Sequence, residues 1–442
     1  MTVTWTSLHR LLGVAPGPLT YEMFEQAAGE QLAETGDLDW KQTLPFKLEK
    51  AHAEKEKEEL CKDVAAMANS GGGLIAYGIA ADGQSGRAQK VMPVTMDEKA
   101  QLQIRSLAAA RIRPIVGGLQ LVPLPAPGDP ANGVLAVHVP ASPSAPHALE
   151  GQDVLRFPYR YGPQTVWMRE QELERAYGDR FDRRAADHER LAKIIDELTS
   201  RLDSGVGAWV VGVAHPRVPR TGLVPDTPRG EIISIIDRAR EVSNELIPRG
   251  GFFRYGFLDA VEHEALNPRR GLRRWVVRRA SPSGPSDQSQ GVHVEIHHDG
   301  TAVLAAQLNW NAPSDDTALV ISELIESAAA DLVALTASTA RARYIDSPLA
   351  VRLDLVQDID GALPYQAATA YGPLGTPRNT PLPIDGTWRV HRFTPIETEV
   401  SATADKSALE EAARDLATDA MHQFGAESIR LLRARPAGGQ AS

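Results

Sequence analysis

The chain has 442 residues, with 47 Lys and Arg against 57 Asp and Glu and a formal net charge of −10. That length holds two or three ordinary domains with cores of their own. The acidic balance does not favour bulk attraction to nucleic acid, so any phosphate contact must come from a local patch, felt over a Debye length of about 8–10 Å.

A hydrophobic fraction of 43% and a charged fraction of 24% are those of an ordinary globular protein. No run approaches eighteen apolar residues, so no membrane span is expected. The start MTVTWTSLHRLLGV lacks the basic, apolar and small-residue sections of a secretory signal. With one cysteine, Cys61, no internal disulfide framework can form. The expected compartment is the cytoplasm, and Cys61 reads as a small core residue.

In chain order, residues 1–33 read as a helical lead-in, with Thr20 as N-cap before YEMFEQAAGEQLA. From Glu34 the pattern changes to a period of two: Leu38 and Trp40 alternate with Asp37, Asp39 and Lys41, a strand with one buried face. HAEKEKEELCKDVAAMANS follows as a helix with Leu60, Val64 and Met67 on its apolar side. Gly71, Gly72 and Gly73 stop it, LIAYGIA is a compact strand, and Asp82 and Gly83 form a turn. MDEKAQLQIRSLAAARI is a second helix. VGGLQLVPL and GVLAVHVPAS predict a hairpin with a long Pro/Gly tip over residues 123–133, and DVLRFPYRYGPQTVWM adds short extended segments. A long charged helix precedes a second α+β region, in which VHVEIHHDGTAVLAAQL is a hairpin turning at Asp299–Gly300. Residues 280–291 predict a flexible loop, and the tail from 435 to 442 a disordered end.

The acid-rich strand with DWK, the helix ending AAMANSGGG, the strand LIAYGIAADG, then RIRP, VLAVHVPAS and FPYRYGPQT resemble, in that order, the AlbA-like domain of the Schlafen family. The segment from Ala68 to Gly78 and the late Tyr159–Thr165 carry most of the resemblance. It covers about a third of the chain. The expected architecture is α+β: a lead-in (1–33), a Schlafen AlbA-like domain (34–180), a linking helix (181–202) and a C-terminal α+β domain of unassigned fold (203–434). The resemblance implies nucleic-acid binding and, in the Schlafen pattern, a metal-dependent endoribonuclease acting on transfer RNA. Bacterial relatives are described as DNA-binding or ATP-binding. The family's first two acids and lysine fall on Glu34, Asp39 and Lys41. Ala80 and Ala81 stand where its third acid would be, and Asp82 is the first acid available.

The residues themselves allow two readings of ETGDLDWK. Asp39 and Lys41 project to one strand face, where a carboxylate could ligate Mg²⁺ or Mn²⁺ while the ammonium positions water; Glu34 could curl in as a second ligand, and the resemblance adds Asp82 as the third. The plainer reading is a polar strand face with a local ion pair. The glycine run is not a Walker motif and reads as a helix end rather than an ATP site. Arg111, Arg113, Arg156, Arg160 and Arg169, with Tyr159, Tyr161 and Trp167, form a candidate phosphate-contacting and base-stacking edge. RRGLRRWVVRR, which includes Arg273 and Arg274, is the densest basic cluster and suits phosphate or an acidic partner. His293, Glu295 and His297 sit at metal-compatible spacing, but an exposed hairpin face is the simpler expectation. The candidate partners are RNA or DNA and a second copy of the chain; the alternative to a nuclease is a non-catalytic regulatory or defence-associated sensor.

Overall fold

The computed structural model describes residues 5–46, 50–151, 154–202, 208–218, 227–247, 256–280, 291–308, 316–343, 345, 347–357, 363–371, 377–402 and 404–432. The expected tail, and nearly all of the loop expected at 280–291, lie outside them. The chain divides into two compact units, Met1–Ala185 and Ala186–Ser442. Among the described residues no helix is long and apolar enough to cross a membrane.

The first unit opens with α1 (Ser7–Leu12) and α2 (Tyr21–Gly29), then β1 (Leu38–Lys41), α3 (Lys50–Asn69) and β2 (Gly73–Tyr77). There follow β3 (Ile79–Ala81), β4 (Ala88–Val91), β5 (Val94–Thr95), α4 (Glu98–Arg111), β6 (Ile112–Arg113), β7 (Gln120–Ala126) and β8 (Asp129–Val139). The unit closes with β9 (Ala148–Glu150), β10 (Leu155–Arg156), β11 (Pro158–Tyr161), β12 (Gln164–Trp167) and the start of α5 (Glu170–Thr199). Its main sheet runs β1-β2-β8-β5, with β7 also on β8. β1 and β2 are parallel, and β2 and β8 antiparallel.

The sheet is covered on both faces. Leu38, Trp40, Leu74 and Ala76 pack with Leu8 of α1 and Phe24 of α2, whereas Ile75, Tyr77, Leu135 and Val137 pack with Leu60 and Val64 of α3 and Ile104 of α4. The period of two in β1 therefore divides its residues between two covered faces, not one covered and one wet. Cys61 is a core residue, as expected, and burial pushes its thiol up to about 12.

The hairpin tip expected over 123–133 is much shorter. β7 and β8 pair up to Ala126 opposite Asp129, leaving Pro127 and Gly128 between them. β7 pairs only with β8, and prolines are tolerated on such an edge strand.

In the second unit come β13 (Trp209–Pro216), α6 (Arg229–Leu246), α7 (Phe257–Ala260), α8 (Glu262–Ala265), β14 (Arg269–Gly271), β15 (Arg274–Arg279), β16 (Val292–His297) and β17 (Ala302–Gln307). Then come β18 (Ala318–Ile321), α9 (Ser322–Ala342), β19 (Leu349–Val356), β20 (Tyr365–Tyr371), β21 (Pro377–Pro383), β22 (Arg389–Val390), β23 (Ile396–Val400) and α10 (Lys406–His422). The sheet order β14-β15-β16-β17-β13-β19-β23 is antiparallel throughout. One face carries the large core with α6, α9 and α10; the other is covered by Leu191, Ile195 and Leu198 of α5. Helix α9 is buried from Ser322 to Ala340, carboxylates included. Its Asp331 accepts from the Ser243 hydroxyl and the Leu258 N–H.

Two outcomes follow for stability. Gly71 and Gly72 both have positive φ, but a Cβ on Gly72 would lie 2.8 Å from Val139 O and Ala141 N, while one on Gly71 meets nothing within 4 Å. Urea unfolding should show Gly72→Ala costing about 2–4 kcal/mol and Gly71→Ala about 1 kcal/mol. In the second unit, burial pushes the Asp331 carboxyl up to about 7 from its ordinary 3.8. A raised acid contributes stability that is whole below its unfolded pKa and lost as pH rises through the folded one. The unfolding free energy of the wild type relative to Asp331→Asn should therefore fall by about 4 kcal/mol between pH 4 and pH 7.5, at about 1.4 kcal/mol per pKa unit. A flat difference across that window would show that Asp331 is not held protonated.

Candidate functional site

Alternation in β1 turns Leu38 and Trp40 toward α1 and α2 and turns Asp39 and Lys41 under α3. There they meet Asp63, which lies on the buried stripe of α3, three residues after Leu60 and four before Met67. The fourth member is Arg160 on β11. That strand is clamped to the end of α3: Asn69 Nδ2 donates to Pro158 O (2.7 Å), and the Arg160 N–H donates to Ser70 Oγ (2.8 Å). This is what the helix-ending Asn-Ser-Gly segment does here.

Lys41 Nζ stands 2.8 Å from Asp39 Oδ2 and 3.0 Å from Asp63 Oδ2. Arg160 Nη2 stands 3.1 Å from Asp39 Oδ1 and 3.3 Å from Asp63 Oδ1. Each carboxylate thus touches both cations. Thr165 Oγ1, directly across the hairpin from Arg160, reaches Asp63 Oδ1 at 3.4 Å, and Arg160 Nη1 donates to Pro163 O. The Asp39, Asp63 and Arg160 side chains are 7%, 3% and 4% exposed, and Lys41 is 25% exposed.

Burial works against the Lys41 ammonium, but Asp39 and Asp63 hold its pKa well above the ordinary lysine range. Burial, and then the neighbouring Asp39 charge, push Asp63 upward, against the pull of Lys41 and Arg160. With both acids ionised the four charges cancel.

Residues 34–169 match the family described as Schlafen, AlbA_2. The N-terminal unit carries a Schlafen AlbA_2 domain. That family points to nucleic-acid binding as the domain's class of activity. No curated protein matches the chain.

Within the Schlafen AlbA_2 domain, Glu34 lies close enough to Asp39, Lys41 and Arg160 to feel their charges, but its carboxylate is turned to the backbone. Glu34 Oε1 accepts the Trp40 N–H at 3.0 Å, and the Glu34 N–H donates to Gly86 O. Burial pushes the Glu34 carboxyl up, with the Trp40 N–H opposing and Asp39 adding to the rise. Asp82 lies elsewhere. It is half-buried, and its Oδ1 accepts from the Gln84 N–H, the Ser85 N–H and the Ser85 hydroxyl. Its carboxylate folds the β3–β4 turn, as an Asx side chain commonly does. The acid that does join Asp39 is Asp63, unmarked by the strand motif; its signal was a carboxylate inside the apolar stripe of α3.

Among the described residues no group of three or more His, Cys, Asp or Glu side chains is placed to hold a metal ion. The donor set gives a physical reason. Mg²⁺ or Mn²⁺ needs carboxylate lone pairs, and those of Asp39 and Asp63 already face an ammonium and a guanidinium. The set as arranged does not fit a divalent cation.

The expected basic edge also divides. Arg160 is not on it: the hairpin turns that side chain inward to two buried acids. Arg111 pairs with Glu54 at 2.9 Å, Arg113 with Glu150 at 3.1 Å, and Arg156 with Glu58, all at the surface. The Arg156 guanidinium also lies 4.6 Å from the centre of the Trp167 ring. Tyr161 is 74% exposed and Tyr159 half-buried. The Arg169 N–H caps onto Glu172.

In the second unit, the strand face bearing His293, Glu295 and His297 is not the exposed one expected. Glu295 is 1% exposed and accepts from His293 Nε2 (2.9 Å), His297 Nε2 (2.8 Å) and Arg201 Nη1 (3.1 Å), with Arg274 Nε 3.4 Å away. Burial opposes ionisation of Glu295, but the two imidazoles hold its carboxyl well below the usual range. The triad is an internal ion cluster, and Arg274 is one of its tethers.

Removing one member of the Schlafen-domain cluster leaves an uncompensated buried charge. Arg160→Met and Asp63→Leu should each cost about 3–5 kcal/mol in urea unfolding of the N-terminal unit. The double variant should cost at least about 1 kcal/mol less than the sum of the two. Additive losses would show that the two side chains do not interact.

Proposed function

We propose that the Schlafen AlbA_2 domain is a non-catalytic binding module for single-stranded nucleic acid, working in the cytoplasm. One observation carries this reading: the acid–lysine motif is closed into a neutral, buried four-residue cluster, while aromatic and cationic groups of the same β10–β12 segment remain at the surface. Asp39, Lys41, Asp63 and Arg160 fasten that segment to β1 and α3. In this reading they are positioning residues.

The candidate contacts are then Tyr161, with Tyr159 on the same side of the β11–β12 hairpin, and, on its other side, Trp167 with Arg156 over its ring. Trp167 and Tyr161 offer rings on which bases stack, a sequence-tolerant contact of about 1–3 kcal/mol per base. Arg156 supplies a cation already poised over the Trp167 ring. The Arg111–Glu54 and Arg113–Glu150 pairs are exposed, so exchanging a carboxylate for a phosphate gives up at most about 1 kcal/mol. An unpaired strand suits exposed rings better than a duplex, whose bases are already stacked.

Fluorescence anisotropy with labelled single-stranded 12-mers tests this. The double variant Tyr161→Ala, Trp167→Ala should weaken binding about 10- to 100-fold. Arg156→Gln should make the log–log salt slope shallower by about 0.7. Transfer RNA incubated with Mn²⁺ should stay intact. Cleavage by the wild type that Asp39→Asn abolishes would replace this reading with the metal-dependent endoribonuclease.

A further inference from the structure

We infer that the β14–β15 hairpin of the second unit is a contact surface for the phosphate backbone of a nucleic acid. This rests on the nucleic-acid reading above, but the surface belongs to a different unit and a different sheet.

The pairing register builds it. Arg269 lies opposite Val276 on β15, and Arg274, Val276 and Arg278 lie opposite His297, Glu295 and His293 on β16. Cross-strand partners share a sheet face, so Arg269, Arg274 and Arg278 project to the same side as Glu295. On β14, β15 and β16 the acid of that face is Glu295, and its two oxygens are already taken by His293, His297 and Arg201, with Arg274 alongside. Its negative charge is buried and spent. Arg269, Arg273 and Arg278 are exposed, and among the described residues none of them makes an ion pair with a carboxylate. In the Schlafen domain, by contrast, Arg111, Arg113 and Arg156 are each paired with a glutamate. In a chain with net charge −10, this hairpin is a place where positive charge is left unneutralised.

Neither edge protection nor an acidic protein partner accounts for this pattern as fully. β14 is the edge strand of its sheet, and charge on an edge discourages strand addition. Either sign would serve that purpose, yet every charged residue from Arg269 to Arg279 is arginine. An acidic protein partner would need an apolar centre to its interface. The large apolar side chains exposed here are Leu272 at the tip, 85% exposed, and Leu266 at the foot, 58% exposed, which is too little for one. Guanidinium groups along a twisted strand instead match a repeating anion, each offering paired N–H donors to phosphate oxygens.

The test uses the full chain, a labelled 20-nucleotide single-stranded RNA and a labelled 20-base-pair DNA duplex, with anisotropy from 50 to 250 mM NaCl. The variant R269Q/R273Q/R278Q should make the log–log salt slope shallower by about 2–3 on whichever probe binds, three phosphate contacts at about 0.7–0.9 each. R269K/R273K/R278K should keep most of the slope. An unchanged slope in the glutamine variant, with binding lost in Tyr161→Ala, Trp167→Ala, would overturn the inference and leave the Schlafen-domain reading standing. The reverse pattern would support the hairpin and remove that reading. No binding of either probe by the wild type at 50 mM NaCl would end both, and capture of poly-glutamate in preference to nucleic acid would overturn the hairpin's assignment to phosphate.

Discussion

Two carboxylates and two cations share one buried site, and the N-terminal unit is arranged to keep them together. Asp39 and Lys41 come from β1, Asp63 from α3 and Arg160 from β11, with Asp39 and Arg160 standing 121 positions apart along the chain. Desolvating any one of these charges alone would cost several kcal/mol. The cost is offset only if all four are present and in contact. That requirement explains why β11 is clamped to the end of α3 by Asn69 and Ser70, and why the β11–β12 hairpin turns Arg160 and Thr165 inward. The cluster contributes less to net stability than its contacts suggest, since such groups can often be replaced by apolar ones at little loss. It fixes one arrangement of strand, helix and hairpin, and that arrangement sets which side chains of the hairpin reach the surface.

Much of this was legible in the sequence, for physical reasons. The period of two in LDWK placed Asp39 and Lys41 on one face, and they are found side by side. The glycine run after Asn69 is a helix end, and the order of motifs led to the family that residues 34–169 match. What was not legible depended on pairing across the fold. A strand pattern shows which residues share a face, but not whether something covers that face, so Asp39 looked half-exposed when α3 lies over it. Asp82 was the nearest acid in sequence, yet its carboxylate is used by its own turn. Asp63 is unmarked in the sequence, because a carboxylate in an apolar stripe resembles an ordinary irregularity until its partner is known. Arg160 looked like the other arginines of its segment, and only the hairpin register distinguishes it from Arg156. The His293–Glu295–His297 strand shows the same limit of a strand pattern, since α5 supplies the helix that leads to Arg201, which meets Glu295 beneath the surface.

The distribution of charge gives both units a common logic. Buried acids are met by cations or by neutral hydrogen-bond donors: Asp39 and Asp63 by Lys41 and Arg160, Glu295 by its imidazoles and Arg201, and Asp331 by the Ser243 hydroxyl and the Leu258 N–H. Arg111, Arg113 and Arg156 of the Schlafen domain are balanced by α3 and β9 glutamates in weak, exchangeable pairs. Among the described residues, Arg269, Arg273 and Arg278 of the β14–β15 hairpin make no ion pair with a carboxylate. A polyanion meeting this protein would find exchangeable contacts and exposed rings on one unit, and unneutralised guanidinium groups on the other.

The central claim is that the acid–lysine motif is closed on itself, with its carboxylates committed to Lys41 and Arg160. Direct titration of the full chain with Mn²⁺, followed by calorimetry or by the loss of the free-ion magnetic resonance signal, tests it most simply. The account predicts no site of sub-millimolar affinity that depends on the cluster. One Mn²⁺ bound per chain at micromolar affinity, and lost in both Asp39→Asn and Asp63→Asn, would contradict it.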